Sequence, residues 1–427
     1  MLEPVQYALM LDQDHRSITI ENPDLVAVVK VEDYEPEHVR QGLERLLELL
    51  RPSFMQESLD DKTVFLKVNG LAPKALACTN PVLVEELGKL LQENGCKNIL
   101  VGDSNFTKAI TNVTLKSVGI SAVAERLGNP IVNFFEHGWT PIAHDSFQAE
   151  KVITIPESIA KADIIINMPR LKTHSGVVFT GAIKNFYGLQ ANKMRMHAMH
   201  KDKTSFQRLL GDMHQAVLAS APGDETKPVL HVMDGIIGMD GKGPSAGNPV
   251  PFKVLLGSFS PVALDVVAYS LMGGNPADLE AIQSLGTRNG WPSSIENLRI
   301  VGDDWKPLVQ NAKLPSLNIL KGGQQGEKGA NSFTLWATRV SIRLNQKKCK
   351  KCLTCVNLCP VGALTKEGDK IALDSTKCIH CFCCGECCPN DALVTRSNYR
   401  VLFNDVVITA VIATIGILAL LFLLHVL

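Results

Sequence analysis

The residues with the plainest chemistry are cysteines. The chain has twelve; only Cys78 and Cys96 precede residue 349, and the other ten fall between Cys349 and Cys388. Disulfide scaffolds spread their cysteines through a small secreted domain, unlike this crowded segment. Within it, Cys349, Cys352, Cys355 and Cys359 follow the spacing C-x2-C-x2-C-x3-C-P, and Cys378, Cys381, Cys384 and Cys388 repeat it 29 residues later. The copies continue as "CPVGAL" and "CPNDAL", so the segment is an internal duplication. Three thiolates on one tight loop can grip three corners of an iron–sulfur cubane, with a fourth closing the last corner. Four-cysteine zinc sites instead come as two separated C-x2-C pairs, so the doubled triplet favours iron–sulfur chemistry. Cys383 and Cys387 stand outside the repeat. They read either as neutral thiols packed beside a cluster, or as groups that tune its potential or replace a ligand after oxidation.

The duplicated segment, about Gln346 to Thr395, resembles the bacterial two-cluster ferredoxin. In that family the fourth cysteine of each run ligates the other cluster. The resemblance therefore implies one [4Fe-4S] cluster on Cys349, Cys352, Cys355 and Cys388, and a second on Cys378, Cys381, Cys384 and Cys359. Two neighbouring clusters suit one-electron transfer but define no reaction, and leave the redox partner open.

Ahead of this module the pattern changes to apolar runs alternating with helical periods. Strands are expected at 25–31, 63–68, 98–103, 151–155, 163–167, 229–233, 252–257 and 298–302. Helices are expected at 36–50, 81–93, 205–218, 261–271 and 276–285. The alternation predicts an α/β domain with a mostly parallel sheet, whose ligands bind beyond the carboxyl ends of the strands. Polar residues gather at those ends: Lys67 and Asn69; Asp103, Ser104 and Asn105; Arg170, Lys172 and His174; and Asp234. With Lys184 further on, the set is cationic and suits an anionic ligand such as a carboxylate or phosphate. His174 is expected to titrate near neutrality as acid or base, or to ligate a metal. The glycine-rich stretch 234–249 opens no helix, which excludes a dinucleotide fingerprint, though it could let backbone approach a ligand. The basic, Met-rich stretch 192–203 reads either as a solvated loop or as a mobile lid over an anion.

Formal net charge is zero, so bulk charge points to no nucleic-acid partner. The N-terminus lacks the charged and apolar regions of a signal peptide. The stretch 406–427 is apolar over 22 residues, with His425 near its end. As a helix it is roughly 33 Å long, enough to cross a bilayer. Arg396 and Arg400 just before it place that side in the cytoplasm. The expected organisation is an α/β domain over 1–310, a linker over 311–345 that includes "KGGQQGEKGANS", a ferredoxin-like α+β domain over 346–396 and a C-terminal transmembrane anchor over 406–427.

Four segments, "VNGLAPKALACTNP" (68–81), "INMPRLKTHSGVVFTGAIKNFYG" (166–188), "MDGIIGMDGKGPSAG" (233–247) and "SPVALDVVAYSLMG" (260–273), resemble domain-of-unknown-function family 362. The resemblance covers nearly all of 25–305, and members often carry a two-cluster ferredoxin module behind this domain. It singles out Lys172, His174, Lys184 and Asn185, with Asp103, Asp234 and Asp265 behind them. The family is distantly similar to nickel-dependent lactate racemase, which implies a carboxylate substrate and a site lined by His and Lys. Three functions stay open. One is an oxidoreductase relaying electrons between two [4Fe-4S] clusters and this site on the cytoplasmic face of a membrane, with His174, Lys172 and Lys184 catalytic and Lys67, Asn69, Asp103, Arg170, Asn185 and Asp234 binding substrate. Another is a non-catalytic carrier or maturation factor. The last is a racemase-like metal enzyme whose clusters are structural. Exposed low-potential clusters would suit an anaerobe.

Overall fold

The computed structural model describes residues 18–223, 225–317, 340–386, 388–390 and 392–397. The strands of the large domain are β1 (Leu25–Lys30), β2 (Thr63–Val68), β3 (Asn98–Asp103), β4 (Ile131–Asn133), β5 (Trp139–Ala143), β6 (Val152–Pro156), β7 (Ile164–Met168), β8 (Arg170–His174), β9 (Val178–Thr180), β10 (Val229–Asp240), β11 (Asn248–Val250), β12 (Val254–Ser258) and β13 (Arg299–Gly302). The main sheet runs in the order β13-β1-β12-β10-β7-β2-β3-β4. Along it only β12 is antiparallel to its neighbours. β5 and β6 pair with each other outside this sheet.

Both faces of the sheet are covered, which is why its strands read as apolar runs rather than alternations. Phe65 of β2, Ile165 of β7 and Val26 and Val28 of β1 face a core completed by helices Lys203–Leu218, Pro261–Leu271 and Glu280–Asn289. The intervening Leu66, Ile166 and Ala27 face a second core under helices Pro36–Leu50, Pro81–Glu93 and Ile120–Arg126. Short polar side chains fix several helix starts: Asn80 accepts from the Val82 N–H, Ser260 from Ala263 and Asp202 from Ser205. The Asp202 cap starts its helix at Lys203, two residues before the expected Ser205. The stretch 276–285 instead divides into a 3-10 turn, Pro276–Asp278, and a helix, Glu280–Asn289.

One row of the sheet departs from apolar chemistry. Lys67 on β2 pairs with Asn167 on β7, Asn167 with His231 on β10, and His231 with Ser258 on β12. All four are buried.

The small domain is built twice over. Strand β14 (Val340–Leu344) pairs antiparallel with β17 (Leu393–Ser397), and β15 (Leu364–Glu367) with β16 (Lys370–Leu373). Helical turns occupy Thr354–Asn357 and Cys383–Glu386, offset by the 29 residues of the duplication. Because β14 closes against β17, this domain begins before residue 346. At the other boundary, residues 310–313 belong to the large domain: Gln310 and Ala312 donate to the carbonyls of Leu271 and Met272, and Lys313 donates to Asp240. The stretch 406–427 and the linker "KGGQQGEKGANS" lie outside the described residues. Among the described residues no helix is long and apolar enough to cross a membrane.

Two residues expected to bind substrate serve this fold instead. Arg170 and Asp234 form a buried ion pair at 2.6 Å. Arg170 also donates to the Cys78 and Ile237 carbonyls, while Asp234 accepts from Tyr34 Oη and the Asn80 N–H. The pair ties β8 to β10 and to the start of the helix Pro81–Glu93. Asp234→Ala leaves a buried guanidinium without its counter-ion and is expected to cost about 3–5 kcal/mol in an anaerobic urea unfolding experiment. A loss below about 1 kcal/mol would show that the pair is not structural.

Candidate functional site

Beyond the carboxyl ends of β2, β3 and β7 lies a small cavity of about 50 Å³ that opens to solvent. Six of the nine expected site residues line it: Asn69, Asp103, Lys172, His174, Lys184 and Asn185. Lys67 does not line it; it is fully buried, with its ammonium 2.7 Å from Asp103. Asp103 also accepts the N–H groups of Gly70 and Ser104, at 2.6 and 2.7 Å. This carboxylate is therefore committed to the scaffold. A Cβ on Gly188 would lie 2.4 Å from Asp103 Oδ1, so only glycine lets the chain pass over this pair.

Lys172 projects from β8 and is fully buried, donating to Asn69 Oδ1 and the Ala77 carbonyl. Asn69 donates to Asn185 at 2.8 Å and Asn185 to Asn167 at 2.7 Å. Asn167 reaches His231 at 2.9 Å, and His231 lies 3.3 Å from His214. A continuous polar line thus joins the pocket to the sheet's polar row. Asp265, behind the pocket, accepts the N–H groups of Ala182 and Ile183 and orients the turn that carries Lys184 and Asn185. Burial pushes its carboxyl up to about 7 against those two hydrogen bonds.

His174 departs from expectation. Its Nδ1 accepts the Gly176 N–H at 2.9 Å, which places its own proton on Nε2. Burial, then the charges of Lys184, Lys172 and Lys203, hold it well below the usual imidazole range. It is a neutral hydrogen-bond donor at pH 7, not a group that titrates there.

The stretch 192–203 is neither a solvated loop nor free of the site. It forms the helix Lys193–Met199, capped by Asn192, and brings Lys193 and His197 to the cavity wall. Lys193 is buried and donates to Ser104 Oγ and to the carbonyls of Gly188 and Gln190. Burial, with Lys67 and Lys184 adding to it and Asp103 opposing, lowers its ammonium to about 7. Sequence reasoning flagged the basic stretch without singling out Lys193. It also left out Thr180, Tyr187 and Pro244, which complete the wall. The glycine-rich loop packs tightly on β8 beside the cavity: a Cβ on Gly243 would lie 1.9 Å from the Thr173 carbonyl oxygen.

In the small domain two further cavities have cysteine linings. One is bordered by Cys349, Cys352, Cys355 and Cys388, the other by Cys359, Cys378, Cys381 and Cys384. These are the crossed quartets. Among the described residues no three His, Cys, Asp or Glu side chains converge on a single-ion site. Backbone N–H groups of Ala363 and Ala392, equivalent in the two repeats, donate to Cys359 Sγ and Cys388 Sγ at 3.1 and 3.3 Å. Burial, then the neighbouring Cys388, Cys352 and Cys349, pushes the Cys355 thiol up to about 11. Cys383 is buried with its Sγ 3.9 Å from the Cys381 carbonyl, and Cys387 lies outside the described residues.

The second quartet's loop docks on the large domain. The His380 carbonyl accepts from Lys203 at 3.1 Å, and the Lys203 ammonium lies 5.5 Å from the Phe382 ring centroid. Gly176 faces the same loop, where a Cβ would touch the Cys381 carbonyl oxygen at 3.5 Å. Gly176 is the residue whose N–H holds His174.

Comparison with known proteins follows the same division. Residues 64–270 match the family model described as a domain of unknown function (DUF362), and residues 341–389 match one described as a 4Fe-4S dicluster domain. The two matches follow one another along the chain, DUF362 first and the 4Fe-4S dicluster domain second. The second match supports iron–sulfur cluster binding. A thylakoid-associated protein from Synechocystis sp. is 28% identical over 299 residues, 68% of this chain and 88% of that protein. Among solved structures, a protein from Thermotoga maritima is 13% identical with a TM-score of 0.34, over 61% of this chain and 60% of that one. The lactate racemase apoprotein from Thermoanaerobacterium thermosaccharolyticum is also 13% identical, with a TM-score of 0.35 over 58% of each chain.

An anion held near Lys193 favours its protonated form, so affinity is highest where that form is present. Binding of oxalate, followed by calorimetry, is expected to weaken as pH rises through about 7, and Lys193→Met to remove this step. A step of the same size in the variant would assign the titration to another group.

Proposed function

We propose that this protein carries electrons between two [4Fe-4S] clusters, on the crossed quartets described above, and an anion bound in the DUF362 domain. The observation that carries the reading is the docking of the second quartet's loop: Cys381 meets Gly176, and Gly176 holds His174 in the pocket wall. Electron transfer needs such proximity, whereas a structural cluster does not. Lys172, Lys184 and Lys193 would offset the charge of an anionic substrate, and Asn69 and Asn185 would fix its orientation. His174 would donate from Nε2–H as a neutral electrophile, and Lys193, at about 7, is the better group to exchange a proton near neutrality. The apolar stretch 406–427, by its length and composition, would hold the chain on the cytoplasmic face of a membrane.

When bound, the clusters supply one-electron reduction. Anaerobically purified protein is expected to contain about eight iron and eight sulfide per chain. Oxalate is expected to shift the electron paramagnetic resonance spectrum of the dithionite-reduced protein, and Lys184→Met to abolish the shift. Clusters that dithionite cannot reduce, or a spectrum indifferent to anions that calorimetry shows to bind, would rule out the relay.

The ligand assignment has its own test. Cys388→Ala is expected to lose about half the iron while Cys383→Ala keeps all of it. The reverse pattern would overturn the crossed quartets.

A further inference from the structure

The two quartets differ in what surrounds them. The second presents His380, Cys381 and Phe382 to the large domain. The first lies in a different setting. Its Cys352 is exposed, and the run Lys347, Lys348, Lys350 and Lys351 brackets Cys349 and Cys352 with all four side chains exposed. Lys350 and Lys351 also border the cavity of the first quartet. Among the described residues, Lys351 alone of the four has a salt bridge, to Asp369. Lys377 alone stands next to the second quartet in sequence, just before Cys378. A chain whose formal net charge is zero thus sets four exposed lysines beside the first quartet.

We infer that the first quartet is the electron port to the outside, and that its lysine collar docks an acidic one-electron protein. The inference rests on cluster binding and deepens the relay reading by giving it an order: external protein, first cluster, second cluster, pocket. In the entry step one electron leaves the reduced partner and converts the first cluster from its 2+ to its 1+ core; no bond is made or broken and no proton is required. The cubane with four thiolates is itself negative, so without the collar an acidic partner would be repelled from the edge at Cys352. Exposed lysines steer such an encounter while contributing little to stability.

The test is stopped-flow reduction of the full-length, anaerobically purified chain by reduced flavodoxin, an acidic one-electron protein, and separately by methyl viologen radical cation. The flavodoxin rate is expected to fall at least about tenfold between low and physiological-to-high salt. Combined Lys347→Glu, Lys348→Glu and Lys350→Glu is expected to lower the low-salt rate by about tenfold or more and flatten its salt dependence. Unchanged visible absorption and an undiminished viologen rate would show that these exposed changes leave the clusters intact. A flavodoxin rate indifferent to salt, or unchanged in the variant, overturns the port and leaves the relay standing. Loss of binding to phosphatidylglycerol vesicles with an unchanged flavodoxin rate also overturns it, and assigns the collar to a membrane surface. Clusters that neither reagent reduces overturn both readings.

Discussion

The structure depends on keeping ammonium groups dry at one end of a sheet. Lys67 and Lys172 are fully buried, and Lys193 nearly so. Removing such a charge from water costs several kcal/mol unless acceptors replace the lost hydration. That requirement explains much of the local architecture. Asp103 faces Lys67; Asn69 and the Ala77 carbonyl face Lys172; Ser104 and two carbonyls face Lys193. Asp103, Asn69 and Ser104 are each tied to a second group, so the pocket's positive character is built in before any ligand arrives. Preorganised charge of this kind does not have to reorient when an anion enters.

The small domain answers a different constraint, which is to gather two cysteine quartets with few residues. Lys351 and Leu353 in one repeat, and His380 and Phe382 in the other, adopt positive φ. These are equivalent positions at the 29-residue offset. Left-handed backbone at non-glycine residues costs of order 1 kcal/mol each, and it persists here because the turns aim three thiols into one cavity. The same offset relates Ile342 to Ile371 and Leu364 to Leu393 in the core beneath. Duplication therefore supplies both the ligands and the platform that crosses them.

Much of this was legible in the sequence because it was carried by spacing or period. The cysteine repeats defined two quartets, and three helices, Pro36–Leu50, Pro81–Glu93 and Pro261–Leu271, have the expected ends because a proline opens each. What failed was anything decided by pairing across the chain. Arg170 and Asp234 have the composition of an anion site, but they lie 64 residues apart and neutralise each other. His174 has the residue type of an acid–base group, but only the fold shows three lysines around it. β8 and β9 were missed because "RLKTH" and "VFT" show no long apolar run; they are buried by the sheet they join. Lys193 was hidden in a stretch that reads as surface, since its burial depends on Ser104 and Gly188 closing over it.

The pocket and the clusters meet through the least conspicuous residues. Gly176 has no side chain to separate the Cys381 loop from the turn that holds His174, and Gly243 lets the neighbouring loop lie directly on the Thr173 carbonyl. Ser175 between them donates both its N–H and its hydroxyl to the Gly243 carbonyl. A Cβ at Gly176 would lie 3.3 Å from the His174 ring and only in ordinary contact, 3.5 Å, with the Cys381 carbonyl oxygen, whereas one at Gly243 would collide with the Thr173 carbonyl in β8, the strand that carries Lys172 and His174. The peptide whose N–H meets the His174 ring is thus the one that faces the loop of the second quartet.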